Sequence, residues 1–177
     1  MCRPKVSPDG DLITLALRTR KLAFDVAEDT GDVRLEHAGK TVSDPLLALD
    51  VIDLASATGP RLFPEDPVAE TEVRIWLAFG ASWHKEFNPL MEIRIRGHDN
   101  VRTDLSLDSA VKVLEGRLNQ IEEHLKTRTW IAGEAFSLAD AALYGKTSLL
   151  PKLGVQTADS RPRLAAWMKR VADATAS

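Results

Sequence analysis

The run Trp130 to Tyr144, Trp-Ile-Ala-Gly-Glu-Ala-Phe-Ser-Leu-Ala-Asp-Ala-Ala-Leu-Tyr, constrains the fold more than any other stretch of the chain. Ser137 stands just before an Ala/Leu-rich segment, and Asp140 follows three residues later. That spacing predicts a capping box. The Ser137 hydroxyl accepts from the backbone N–H of residue 140, and the Asp140 carboxylate reaches back to the N–H of Ser137. The negative charge also suits the positive end of the helix dipole. Phe136 and Ala141 are placed to form a hydrophobic staple, and Gly133-Glu134 marks a turn before the helix. Ala139, Ala142 and Leu143 are small or apolar, so this helix can cross a crowded interior.

Periodicity organises the rest. Residues 1–8 read as a short or edge strand, because Pro4 cannot donate to a ladder. Asp9-Gly10-Asp11 is a turn, and Leu12, Ile13, Leu15, Ala16 and Leu22 form a helical stripe with Arg18, Arg20 and Lys21 toward its cation-favouring end. Ala23 to Ala27 alternates as a strand, and Val33 to Val42 reads as a hairpin turning at Gly39. Pro45 to Ala55 is an apolar helix. Thr58 to Pro67 holds three prolines and a glycine and is the best linker. A long helix follows from Pro67 to about Phe87, with a break expected at Asn88-Pro89. Leu107 to Leu125 carries Val111, Leu114, Leu118, Ile121 and Leu125 on one stripe. Leu149-Leu150-Pro151 ends or bends the capping-box helix, and a last helix opens with Pro162 in its first turn.

A chain of 177 residues can bury a sizeable core. Its 44% apolar and 28% charged content is that of a soluble globular protein. The net charge of −3, with 23 basic and 26 acidic residues intermixed, argues against a nucleic-acid surface. No apolar run suits a membrane span or a signal peptide, so a cytoplasmic location is the simplest expectation. The single cysteine, Cys2, excludes an intramolecular disulfide and any Cys-x-x-Cys site. His37, His84, His98 and His124 show no metal-ligand spacing, so no metal is expected.

The pattern Trp-Ile-Ala-Gly-x-x-Phe-Ser-Leu-Ala-Asp-x-Ala-Leu-Tyr, with the closing Arg161-Pro162-Arg163-Leu164-Ala165-Ala166-Trp167, resembles the helical C-terminal domain of the glutathione transferase superfamily. The resemblance is strong from Leu62 onward and weak before Ala38. It implies an α+β, mostly α protein: a truncated thioredoxin-like domain over residues 1–57, a linker over 58–66, and an all-helical domain over 67–177. Homodimerisation through the first two helices after the linker is implied as well.

The resemblance also says where chemistry would sit. Ser7-Pro8 aligns with the Ser or Cys that holds the thiolate of glutathione at a helix N-terminus in many bacterial members. Two readings of Ser7 stand: a donor to a bound thiolate, making the chain a transferase or isomerase of small electrophiles, or an ordinary Ser-Pro-Asp-Gly turn residue. Three other features of the family's glutathione site are degraded. Glu28 to Asp32 is too short for the helix that members carry there. Val33 occupies the place of a cis-proline, and a cis bond before a non-proline costs roughly 2.5–4 kcal/mol. Asp44-Pro45 replaces an acidic residue followed by Ser, and Pro45 lacks both donors that take the γ-glutamyl carboxylate. Glutathione is thus the one candidate cofactor, and a site too poor to hold it is the expectation. Relatives that have lost transferase activity serve as docking domains, so a binding or assembly module with a protein partner is the leading reading.

Trp76, Phe79, Trp83, His84 and Phe87 lie on the helix that in relatives lines an apolar substrate pocket. They read either as a hydrophobic cleft or, preferably, as core and dimer interface, with His84 a surface or capping residue. Cys2 has no activating neighbour beyond Arg3 and Lys5. Arg94, Arg96 and Arg102 form the one basic patch, read as a solvated loop in preference to an anion site.

Overall fold

The computed structural model describes residues 5–6, 13, 16–17, 20–23, 25–26, 35–55, 61–98, 106–157 and 160–175. The chain divides into two compact units, Met1–Glu65 and Asp66–Ser177.

The first unit is built on a four-stranded sheet: β1 (Lys5–Val6), β2 (Asp25–Val26), β3 (Leu35–His37) and β4 (Lys40–Val42), in the order β2-β1-β3-β4. β1 pairs parallel with β2, Lys5 opposite Asp25, and antiparallel with β3, Val6 opposite Leu35. A parallel pair needs a crossover, and Ile13, Ala16 and Leu17 are its helical, fully buried members. β3 and β4 form the expected hairpin, Leu35 opposite Val42. Its two turn residues, Ala38 and Gly39, both have positive φ, 50° and 75°, as a two-residue hairpin turn matched to strand twist requires. Helix α1 (Pro45–Ala55) buries Ala48, Leu49 and Ile52. This mixed sheet with helices is consistent with the truncated half implied by the resemblance. Of the strand expected over Ala23 to Ala27, Asp25–Val26 is paired, and Ala23 is not.

One buried charge pair fastens this unit. Arg20, expected toward the cation-favouring end of the first helix, is 4% exposed and lies 3.3 Å from the Asp53 carboxylate. It also donates to the Asp53 carbonyl at 3.0 Å. Asp53 accepts the Leu62 backbone N–H at 2.7 Å, and Arg61 approaches its other oxygen at 3.3 Å. The segment after α1 is thereby tied back onto the helix.

The second unit is all helical: α2 (Pro67–Ala81), α3 (His84–Arg94), α4 (Leu107–His124), α5 (Leu138–Leu149), a 3₁₀ turn (Leu150–Leu153) and α6 (Pro162–Thr175). Sequence signals set the starts. Asp66 accepts from the Ala69 N–H at 2.8 Å with Pro67 in the first turn, and Ser106 accepts from the Ser109 N–H at 3.2 Å. The start of α6 is capped from another helix, by Glu122 of α4 accepting the Leu164 N–H at 2.7 Å. Leu114, Leu118 and Ile121 of the predicted stripe are fully buried, whereas Val111 is half-buried.

The long helix after the linker does not break at Asn88-Pro89. It breaks six residues earlier, at Ser82-Trp83, and Pro89 lies inside α3. The reason is local satisfaction of the four carbonyls that end α2. Ser82 N–H donates to Ala78, the Ser82 hydroxyl to Phe79 at 2.7 Å, and Lys146 Nζ to Gly80 at 2.7 Å. His84 Nδ1 stands 3.2 Å from the Ala81 carbonyl. Pro89 is the sixth of the eleven residues of α3, where it withholds the N–H that the Lys85 carbonyl would accept, and the helix continues through it to Arg94. Gly80 is needed for packing, since a Cβ there would meet Leu143 Cδ2 at 3.0 Å.

The capping box forms around Ser137 and Asp140, and it is larger than expected. Asp140, 0% exposed, accepts from the Ser137 N–H at 2.9 Å and the Ser137 hydroxyl at 2.8 Å through one oxygen. Its other oxygen accepts from the Ile131 N–H and from Trp167 Nε1, both at 2.8 Å. Replacing Asp140 by Ala strands buried donors on three segments and is expected to cost about 3–5 kcal/mol, read as a shift of the urea midpoint. Ala38→Asn supplies a residue suited to positive φ before Gly39 and is expected to stabilise the first unit by about 0.5–1 kcal/mol in the same assay.

Candidate functional site

Ser7 and Val33 lie outside the described residues, as do Cys2, Arg102 and the Glu28 to Asp32 connection. Asp44 and Pro45 can be placed. They form the N-terminus of α1, with Asp44 Oδ1 accepting the Leu47 N–H at 2.8 Å and Pro45 as the first helical residue. This is the N-cap arrangement with proline at the first position. The carboxylate therefore meets one of the helix's own free N–H groups, and the next residue has no N–H to offer.

The aromatic residues after the linker form a ladder along α2 and across its break. Trp76 and Phe79 meet edge to face with centroids 5.1 Å apart, and Phe79 and Trp83 do so at 5.6 Å. Trp83 is fully buried and Phe87 nearly so, while Trp76 and Phe79 are half-buried. Trp83 and Phe87 are also linked along the backbone, Phe87 N–H donating to the Trp83 carbonyl at 2.8 Å. Helix α4 supplies the other members of the cluster. His124 lies against Trp76 with centroids 4.5 Å apart and contacts the Ile131 carbonyl at 2.8 Å through Nε2. The Arg117 guanidinium stands over Phe79 at 5.4 Å. Two buried polar atoms at the break, Trp83 Nε1 and Glu86 Oε2, have no hydrogen-bond partner among the described residues.

Of the basic patch, Arg94 and Arg96 can be placed: both are exposed at the end of α3, and both have partners. Arg94 ends α3 and its Nη1 donates to the Leu153 carbonyl, next to Gly154, whose φ is +72°. A side chain on Gly154 would collide with that guanidinium. Arg96 pairs with Glu92 at 2.7 Å, and His98 Nδ1 lies 2.8 Å from the other Glu92 oxygen. The hydrogen bond from His98, then the nearby charges of Arg96 and His98, hold the Glu92 carboxyl below the usual glutamate range against a partial desolvation.

Lys146 was not singled out by sequence reasoning. Its signal is visible in retrospect: a lysine three residues after buried Leu143 and four before buried Leu150 stands on an apolar stripe. Burial lowers its pKa from the ordinary lysine value. Among the described residues no group of three or more His, Cys, Asp or Glu is arranged to hold a metal, and no helix is long and apolar enough to cross a membrane.

Comparison with known proteins matches residues 94–174 to the family described as glutathione S-transferase, C-terminal domain. Glutathione S-transferase U9 of Arabidopsis thaliana is 24% identical over 154 residues, covering 77% of this chain and 64% of that protein. The chain thus spans less than two thirds of that curated relative's length. A possible glutathione S-transferase from Rhodopseudomonas palustris superposes with a TM-score of 0.81 at 20% identity, over 97% of this chain and 95% of that one. The theta class glutathione S-transferase of the citrus canker pathogen Xanthomonas axonopodis pv. citri, solved with glutathione bound, gives 0.81 at 16% identity over 98% and 93%.

The Glu92 cluster gives a pH test. A carboxyl depressed in the folded state contributes stability above its unfolded pKa and loses it as pH falls through the folded one. The NMR titration midpoint of Glu92 is expected below that of an ordinary glutamate, and His98→Ala is expected to raise it; a midpoint unmoved by that substitution would refute the assignment.

Proposed function

We propose a function for this chain from its membership of the glutathione S-transferase superfamily: it is a non-catalytic binding or assembly module whose glutathione site has decayed. The observation that carries this reading is the start of α1. Where family members present an acidic residue and a Ser to the γ-glutamyl carboxylate, Asp44 caps Leu47 and Pro45 has no N–H. An anion arriving there finds fewer donors. The short connection before Val33 and the absence of proline at that position support the same reading.

A module needs a stable scaffold and an accessible face. The helical unit supplies the first through the Asp140 network. Helix α2 supplies the second: Val68 and Ile75, seven residues apart and thus on one face, are 77% and 60% exposed. We assign this face to pairing with a second copy, with half-buried Trp76 and Phe79 at its edge. A protein partner, a cytoplasmic setting, a thioredoxin-like first domain over residues 1–57 and a linker over 58–66 belong to the same proposal.

Titration of the purified protein with glutathione, followed by calorimetry and tryptophan fluorescence, tests it. No saturation at millimolar glutathione is expected, which places binding weaker than about −4 kcal/mol. Tight, saturable binding that disappears in Ser7→Ala would overturn the proposal and make the chain a glutathione-dependent enzyme.

A further inference from the structure

Helix α4 carries a cation that its surroundings leave unmatched. Arg117 is half-buried, with its guanidinium over the Phe79 ring, and among the described residues it has no ion pair and no hydrogen bond. Arg161 shows the contrast: its guanidinium donates to the Asn119 side chain and to the carbonyls of Gln156 and Glu115. A guanidinium over an aromatic face still has its in-plane N–H groups to give, and their geometry matches a carboxylate. The surface around Arg117 is apolar and open to solvent. Trp76 and Phe79 are half-buried, while Ile75 and Val113 are 60% and 37% exposed. Val113 stands one turn before Arg117 on the same face of α4. His124, two turns after Arg117, packs on Trp76 and is held in place by its Nε2 on the Ile131 carbonyl.

We propose that Trp76, Phe79, Arg117 and His124 dock a segment of a protein partner that carries a carboxylate beside an apolar side chain. The inference rests on the binding-module reading and names the chemistry of the partner. The apolar side chain covers the rings of Trp76 and Phe79, and the carboxylate takes the N–H groups of Arg117. The guanidinium stands 5.4 Å from the Phe79 centroid, which an extended chain spans in one to two residues, so the two groups must be near neighbours in the segment. Aromatic residues and arginine are the side chains that anchor interfaces, and charge complementarity selects the partner. A second copy pairing along Val68 and Ile75 brings up α2, whose carboxylates are both engaged, Glu70 with Arg74 at 2.8 Å and Glu72 with Arg128 at 3.2 Å. The counter-charge for Arg117 therefore comes from a different protein.

The test selects random peptides displayed on phage against the full chain, then measures the enriched peptides in solution by fluorescence anisotropy. Enriched sequences are expected to place Asp or Glu next to, or one position from, a large apolar residue. Arg117→Gln is expected to weaken their binding about tenfold, and so is replacing the peptide's carboxylate by its amide. The two changes together are expected to cost no more than either alone, because they break the same pair. The amide peptide, measured on the parent chain, reads the pair without any change to the fold. No enrichment, peptides without a carboxylate, or binding indifferent to Arg117→Gln overturns the proposal. Sedimentation of the parent and of Arg117→Gln runs in parallel: self-pairing lost in the variant would give the patch to a second copy and overturn it as well. The glutathione titration decides the module reading separately, since it turns on Ser7, Asp44 and Pro45 and on none of these four residues.

Discussion

The helical unit depends on one buried carboxylate. Asp140 is inaccessible to solvent and accepts from two backbone N–H groups, a hydroxyl and an indole N–H. A buried charge is tolerable only when it is so surrounded. Here the donors come from three places: the 130–132 approach, the start of α5, and Trp167 on α6. Satisfying Asp140 therefore fixes three segments at once. The short Asp side chain lets one oxygen hold the cap while the other reaches outward to Ile131 and Trp167.

With α5 fixed, its neighbours follow. Gly80 lets α2 come close enough that Leu143 takes the space of a missing side chain. One turn further along α5, Lys146 meets the last carbonyls of α2. Those carbonyls are satisfied by Ser82, His84 and Lys146, so the chain can stop being helical at Ser82-Trp83 without leaving α2's end unpaired. The break in turn places Trp83 and Phe87 inward and leaves Trp76 and Phe79 part-exposed. A folding determinant in α5 thus sets the aromatic surface of α2, three helices earlier in the chain.

The sequence made some of this legible and not the rest. Ser137 and Asp140 were readable because a capping box is local, two side chains and two N–H groups within four residues. The stripe of α4 and the Pro67 and Pro162 helix starts were readable for the same reason. The partners that make Asp140 central, Ile131 and Trp167, lie 9 and 27 residues away and leave no spacing signature. The charge of Arg20 suits a helix end, but its partner Asp53 is 33 residues on and leaves no spacing signature. Pro89 misled because proline disrupts helices on average, yet the break was decided by side chains that cap α2. The acceptor of exposed Arg94, the Leu153 carbonyl, could not be foreseen because it is a backbone atom 59 residues away.

On the proposed reading, little sequence change at the start of α1 separates a ligand site from an ordinary helix end. Any helix offers free N–H groups and a positive dipole to an anion. A Ser in the first turn adds a hydroxyl and keeps its N–H. Pro45 removes both, and a charge-assisted hydrogen bond of this kind is worth about 1.5–3 kcal/mol. Losing two corresponds to a weakening on the order of a hundredfold or more. Meanwhile Asp44 caps Leu47 at 2.8 Å, an arrangement that stabilises the helix by about 1 kcal/mol. On the proposed reading, Pro45 is thus the change that weakens the ligand's hold, while Asp44 keeps the helix start capped without a ligand.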